Sequence, residues 1–229
     1  MAAYRAEGKR SVVGAILAFF GPVRLGPGPA FHEAALKSTG LFKYFNQMLL
    51  DDVLTGTRGD RVFALAEAEL VSNSRISSKT VFRGLILAAK LRDPIDPPVA
   101  VVPRRDWLGG LFGGPARDMK LSEMRGDHAV KGSSMEQVRR CLSPAVRALI
   151  RRLSARAGAG NFGLCFCGDR LYVKIRQEAN LLESLTDIEM APTMADVKKI
   201  VREIHELLSL ADAVDAALDR HETAPGMRT

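Results

Sequence analysis

Two runs decide the fold: Phe63-Ala64-Leu65-Ala66-Glu67-Ala68-Glu69-Leu70-Val71 and Val81-Phe82-Arg83-Gly84-Leu85-Ile86-Leu87. Side chains on a strand alternate between faces, so Phe63, Leu65, Glu67, Glu69 and Val71 share one face and Ala64, Ala66 and Ala68 the other. The small alanine face lets another element approach closely. On the second run Val81, Arg83, Leu85 and Leu87 share a face. Ser72-Asn73-Ser74-Arg75-Ile76-Ser77-Ser78 between the runs is polar turn chemistry, so residues 61–71 and 79–91 predict an antiparallel pair. Folded about Arg75, the pair sets Glu67 opposite Arg83 as a cross-strand ion pair.

Downstream, Ser143 caps a helix that has Pro144 at its first position, and Gly158 ends it. Val146, Leu149, Ile150 and Leu153 form its apolar stripe, and Arg147, Arg151, Arg152 and Arg156 face elsewhere. Residues 161–176 predict a tight hairpin about Gly168-Asp169. Phe162, Leu164 and Phe166 lie on the core face with Ile175, Val173 and Leu171, and Cys165 and Cys167 on the other face with Tyr172 and Arg170. A last helix runs from Met194 to Leu218 behind a partial capping box, Thr193 and Asp196. Val197, Val201, Ile204, Leu208 and Ala211 are its buried stripe.

Upstream, residues 11–20 predict a short helix that stops at Gly21-Pro22. Phe31 to Leu36 extend the helical character before an irregular Leu41 to Phe45. Asp51, Asp52, Gly56 and Gly59 punctuate the approach to the first strand. Val99 to Val102 predict a short strand, and residues 119–135 two more. The expectation is one α+β domain over residues 1–220, followed by a disordered tail, 221–229. Within it residues 11–50 form a helical N-terminal segment, 61–135 a strand-rich part and 143–218 a helix–hairpin–helix part. An antiparallel β-sheet built from hairpins packs against the two main helices.

Composition agrees with a globular domain: 229 residues, 47% hydrophobic and 26% charged, with 20 Gly and 11 Pro. The formal net charge is +7, unevenly spread. Residues 111–180 carry 13 basic and 6 acidic side chains, and residues 181–229 carry 5 basic and 10 acidic. An acidic last helix thus neutralises part of a basic body, and the remainder favours anionic partners. Cys141, Cys165 and Cys167 lack framework spacing and read as free thiols of a reducing compartment. The apolar run Val12 to Phe20 is far shorter than the roughly 20 residues a bilayer requires, and it reads as a core or interfacial helix.

Thr80-Val81-Phe82-Arg83-Gly84-Leu85, with Glu67-Ala68-Glu69 before it, resembles the bacterial domain of unknown function 3137 family. Thr39-Gly40-Leu41-Phe42, Asp51-Asp52, Leu142-Ser143-Pro144-Ala145, Asp169-Arg170-Leu171-Tyr172-Val173 and the leucine-rich last helix follow in a similar order, so the resemblance covers residues 11–218. It implies the fold class and a bacterial origin. It also implies membrane-tethered relatives with hydrophobic spans upstream of this domain, which this sequence, starting near the first helix, does not show. It supplies no activity, cofactor or catalytic residue.

No Gly-x-Ser-x-Gly elbow, Walker loop or His-Glu-x-x-His stands in the sequence. Cys165-Phe166-Cys167 is one thiol pair, with Cys141 and His205 distant, where zinc needs about four ligands; plain thiols are the simpler reading. Asp127-His128 are neighbours on a strand and point to opposite faces. Glu67 and Glu69 lie about 7 Å apart on one face, and the ion pair to Arg83 accounts for them. The arginines of residues 143–157 lack interleaved aromatics, which disfavours nucleic acid; a solvated helix face, or pairing with acidic residues of the last helix, explains them. Arg104, Arg105, Trp107, Leu108, Leu111 and Phe112 are the candidate interaction loop, with large apolar groups between glycines beside two arginines; these groups either fold back on their own domain or meet a partner protein or a lipid interface.

The expected role is a non-enzymatic binding or scaffold module with no cofactor and no metal. It acts by surface contact with a protein partner or an anionic membrane surface, in the cytoplasm or peripherally at the inner membrane. The alternative is an enzyme with a fold-assembled site. A deep pocket gathering Glu67, Arg83 or His128 favours the enzyme; a flat basic or apolar patch around Trp107 favours the binder.

Overall fold

A computed structural model describes residues 23–25, 31–104, 117–119, 128–158, 160–177 and 194–222. In chain order these hold β1 (Val23–Leu25), α1 (Glu33–Ser38), β2 (Gln47–Arg58), β3 (Arg61–Asn73), β4 (Ser78–Pro103), β5 (Arg117–Met119), β6 (His128–Gly132), α2 (Met135–Cys141), α3 (Pro144–Ala157), β7 (Phe162–Arg176) and α4 (Met194–Glu222). The strands form one antiparallel sheet in the order β1-β2-β3-β4-β6-β5, with β7 also paired to β4. The α+β class therefore holds.

β4 is the spine. Over its 26 residues it pairs with β3 along its first half, β6 at its last residues and β7 along most of its length. Both faces of the sheet are buried. Leu65, Leu85, Leu87, Val99, Val101, Leu164 and Val173 pack under α2, α3 and α4. Ala64, Ala66, Ala68, Ile86, Ala88 and Ala100 pack under Phe31, Leu36, Leu41, Phe42 and Phe45. The alanine face does admit a close neighbour, the segment of residues 31–45. Ser143 Oγ caps α3 by accepting from Val146 N at 3.4 Å, with Pro144 at its first position.

Several expectations are corrected. Residues 47–50 do not belong to a helical N-terminal segment: they open β2, which pairs with β3. Leu49 lies on the open face and is exposed, so the apolar alternation of Met48 and Leu50 is masked in the sequence. Residues 162–176 form no hairpin. They are one 15-residue strand that stays paired to β4 on both sides of Gly168. There β4 carries Asp93-Pro94-Ile95-Asp96-Pro97-Pro98, prolines donate nothing, and the register slips between Lys90 and Ile95 and again before Val99. Gly168, at φ 57°, absorbs the slip and keeps Phe162, Leu164 and Phe166 on the same face as Leu171 and Val173.

Glu67 does not oppose Arg83. The turn centres between Arg75 and Ile76, and Val81 of β4 bulges out opposite Leu70 and Val71, so Glu69 opposes Arg83 and Glu67 opposes Leu85. The two strands expected within 119–135 fall at Arg117–Met119 and His128–Gly132. His221 and Glu222, expected in the tail, close α4 instead. The helix of residues 11–20, most of the Arg104–Phe112 loop, Thr193 and residues 223–229 lie outside the described residues.

Candidate functional site

At the β3–β4 turn the chain builds a groove. Asn46 fastens the segment after α1 to this turn: its side-chain amide donates to Asn73 O at 2.8 Å and its Oδ1 accepts from Asn73 N at 2.8 Å. Asn46 N also donates to Val71 O at 3.0 Å. Ser74 Oγ accepts from Ser77 N at 3.1 Å, which closes the turn itself. Lys43 is thereby held beside Lys79, and the end of β7 brings in Arg176. The resulting cavity is about 640 Å³ and is lined by Lys43, Lys79 and Arg176 together with Ser72, Ser74, Ser77, Thr80 and Val81.

Arg176 is positioned before any ligand arrives. Its guanidinium donates to Val81 O at 2.7 Å and lies 5.6 Å from the Phe82 ring centroid. Thr80 donates its hydroxyl to Glu69 at 2.6 Å, so that proton is committed. The hydroxyl of Ser72 completes the donor set, since Ser77 Oγ is held 3.1 Å from Ser74 Oγ within the turn. Among the described residues no carboxylate lines the cavity. Beyond its rim Ile76 is 96% exposed at the tip of the turn, and Tyr44 is exposed nearby in sequence to Lys43.

The carboxylates singled out above meet elsewhere. Asp51, Glu67, Glu69, Arg83 and Gln177 line a second cavity of about 160 Å³. Ligand pockets span roughly 300–1,000 Å³, and this one falls below that range. Glu67 is buried and Arg83 exposed. His128 is not part of this cavity: its Nε2 lies 3.3 Å from Ser154 Oγ. Asp127 lies outside the described residues.

Cys165 and Cys167 share the face of Tyr172, as expected from the alternation. A hydrogen bond from Cys165, with a second from Ser38, lowers the Cys167 thiol to about 6 against the opposing pull of burial. Cys165 is raised, by its hydrogen bond to Cys167 and by burial, and burial pushes Cys141 up to about 12. His205 lies 3.4 Å from Ser209 on α4, a helix that packs on the sheet face opposite Cys165 and Cys167. Among the described residues no group of three His, Cys, Asp or Glu side chains is arranged to hold a metal ion. The arginine face of α3 meets the last helix: Arg156 Nη1 is 2.6 Å and Arg152 Nε 4.0 Å from Glu206.

Of the expected interaction loop, Arg104 is exposed at the end of β4, and Arg105, Trp107, Leu108, Leu111 and Phe112 lie outside the described residues. The groove was not anticipated. Its residues come from four chain segments, and only the serines lay in the stretch read as a turn. Among the described residues no helix is long and apolar enough to cross a membrane.

No curated protein matches the chain. One solved structure similar in fold is "crystal structure of the mycobacterial trehalose monomycolate transport factor A, TtfA", at 10% sequence identity and a TM-score of 0.45, covering 90% of this chain and 95% of that one. The family described as "Protein of unknown function (DUF3137)" matches residues 80–216, from the Thr80-Val81-Phe82-Arg83-Gly84 run into the last helix. The chain belongs to this family.

Proposed function

We propose that the chain is a non-enzymatic binding module that works by surface contact, and that its partner is an anionic membrane surface met by the β3–β4 turn. The observation that supports this reading is the basic groove, without a carboxylate among the described residues, at the turn that carries the exposed Ile76. An exposed isoleucine next to Arg75 on a turn whose groove holds Lys43 and Lys79 suits an anionic interface: the isoleucine enters the headgroup layer while the cations meet phosphates. Each lysine near such a surface contributes about 1 kcal/mol. The enzyme reading has less support, because the cavity holding Glu67, Glu69 and Arg83 is of only about 160 Å³.

The loop that starts at Arg104 leaves β4 at the end opposite Ser78, so loop and turn are separate candidate contacts. Vesicle flotation decides. The protein should float with anionic vesicles, stay down with zwitterionic ones, and lose binding as salt rises. Lys43→Ala with Lys79→Ala should weaken binding by about 30-fold, from about 1 kcal/mol per lysine. Trp107→Ala with Phe112→Ala should leave it unchanged. Flotation that depends on the loop pair and ignores the lysine pair returns the contact to Trp107 and Phe112; no flotation at all ends the membrane reading.

A further inference from the structure

We infer that the groove between Lys43, Lys79 and Arg176 is a phosphoryl-binding site, so that the turn selects a phosphate-bearing ligand and not negative charge in general. The inference rests on the contact site proposed above and names what that site reads.

The donors converge from different directions. Lys43 comes from the segment before β2, Ser72 from the end of β3, Lys79 from the start of β4, and Arg176 from the end of β7. A planar carboxylate meets two donors in one plane, whereas a phosphoryl group presents three or four oxygens around a tetrahedron and takes donors from several sides. Two further features distinguish the groove from a chance cluster of surface lysines. Arg176 is fixed by its bond to Val81 O and its stacking on Phe82, so little side-chain entropy remains to be lost on binding. Lys43 is held to the turn through the reciprocal Asn46–Asn73 bonds and does not depend on the ligand to bring it there. Neither Lys43 nor Lys79 is ion-paired among the described residues, so both charges face the cavity without a competing carboxylate. Glu69, on the neighbouring strand, accepts from Thr80.

The volume of about 640 Å³ exceeds a bare phosphate. It fits a phosphate ester with a small alcohol attached, either a lipid headgroup or a soluble glycerol phosphate. The two sources share the same chemistry and are separated by experiment.

The probes are vesicles made anionic by phosphatidic acid, vesicles made equally anionic by cholesteryl hemisuccinate, and soluble glycerol 3-phosphate followed by titration calorimetry. The expected result is a preference of about tenfold or more for phosphatidic acid over the carboxylate lipid. Ser72→Ala changes no charge and should remove about tenfold of that preference while leaving thermal stability unaltered. Equal binding to the two vesicle types, or a preference untouched by Ser72→Ala, overturns the phosphoryl site and leaves the membrane contact standing. Glycerol 3-phosphate binding without flotation on either vesicle keeps the site, assigns it a soluble ligand and overturns the membrane contact. Failure of all three probes overturns both.

Discussion

Arg61 and Asp215 form a buried ion pair that ties the turn end of β3 to α4. The arginine also donates to Lys90 O at 2.5 Å, and the carboxylate accepts from Arg92 N at 3.3 Å. Asp212 stands outside the pair, 3.4 Å from Arg61 Nε and 3.1 Å from Arg58 Nη2, and is itself partly exposed. The last helix is thus fastened by charge at one end of β3, while the ligand groove opens at the other. Burying two charges is costly, and the geometry repays that cost only while both partners are present.

Removing one partner should therefore be severe. Asp215→Ala is expected to destabilise the protein by about 3 kcal/mol, the lower end for a broken buried pair because Asp212 remains near Arg61. Asp212→Ala should cost less than about 1 kcal/mol, as exposed pairs do. Urea unfolding of both variants measures the difference; equal losses would show that the pair is not the anchor.

Gly84 sits at φ +146°, and a Cβ there would stand 2.1 Å from Ile175 O. Gly84→Ala should cost about 3 kcal/mol or more, combining backbone strain with displacement of β7 from β4. Amide exchange should report the loss first in residues 171–176. A variant as stable as the parent would show that β7 does not approach so closely.

The three thiols should separate by pH. Cys167, lowered to about 6, should be alkylated by iodoacetamide with a rate that rises through about pH 6, while Cys141 and Cys165, both raised, stay unmodified in the native protein. Its folded value lies below the ordinary 9.0. The stability that its thiolate contributes is therefore full above about pH 9 and lost as the pH falls through about 6. Peptide mapping after alkylation, and the unfolding midpoint of Cys167→Ser across that range, test the direction.

Ile76 makes no packing contribution at 96% exposure. Ile76→Asp should leave unfolding free energy within about 0.5 kcal/mol of the parent. It should nonetheless cut binding to anionic vesicles by at least about tenfold, through lost apolar insertion and an added repulsive charge. Unaltered flotation would remove the isoleucine from the contact.

Local alternation carried much of the architecture, but it did not carry the partners. Period-two spacing placed Phe162, Leu164, Phe166, Leu171 and Val173 on one face correctly. A hairpin and a bent single strand produce the same faces, so Gly168 was read as a turn when it is a kink beside a proline-interrupted β4. Ser143-Pro144 marked the start of α3 because capping is a local event. The Arg83 partner was misassigned because register depends on a one-residue bulge that leaves no mark on composition. The groove was illegible for a related reason: Lys43 and Arg176 are far apart in sequence and meet only through the Asn46–Asn73 fastening and the β4–β7 pairing.

Because β4 borders β3, β6 and β7, its order of synthesis matters. When residue 103 leaves the ribosome, β3 can already zip onto one flank of β4, yet the strand that completes the other flank ends only at Arg176. Until then a long ribbon with apolar residues on both surfaces waits with one row of backbone amides and carbonyls open. Such an edge invites pairing with a neighbouring nascent chain. The prolines at 94, 97 and 98 carry no N–H, so they shorten the stretch of β4 that such a pairing could use.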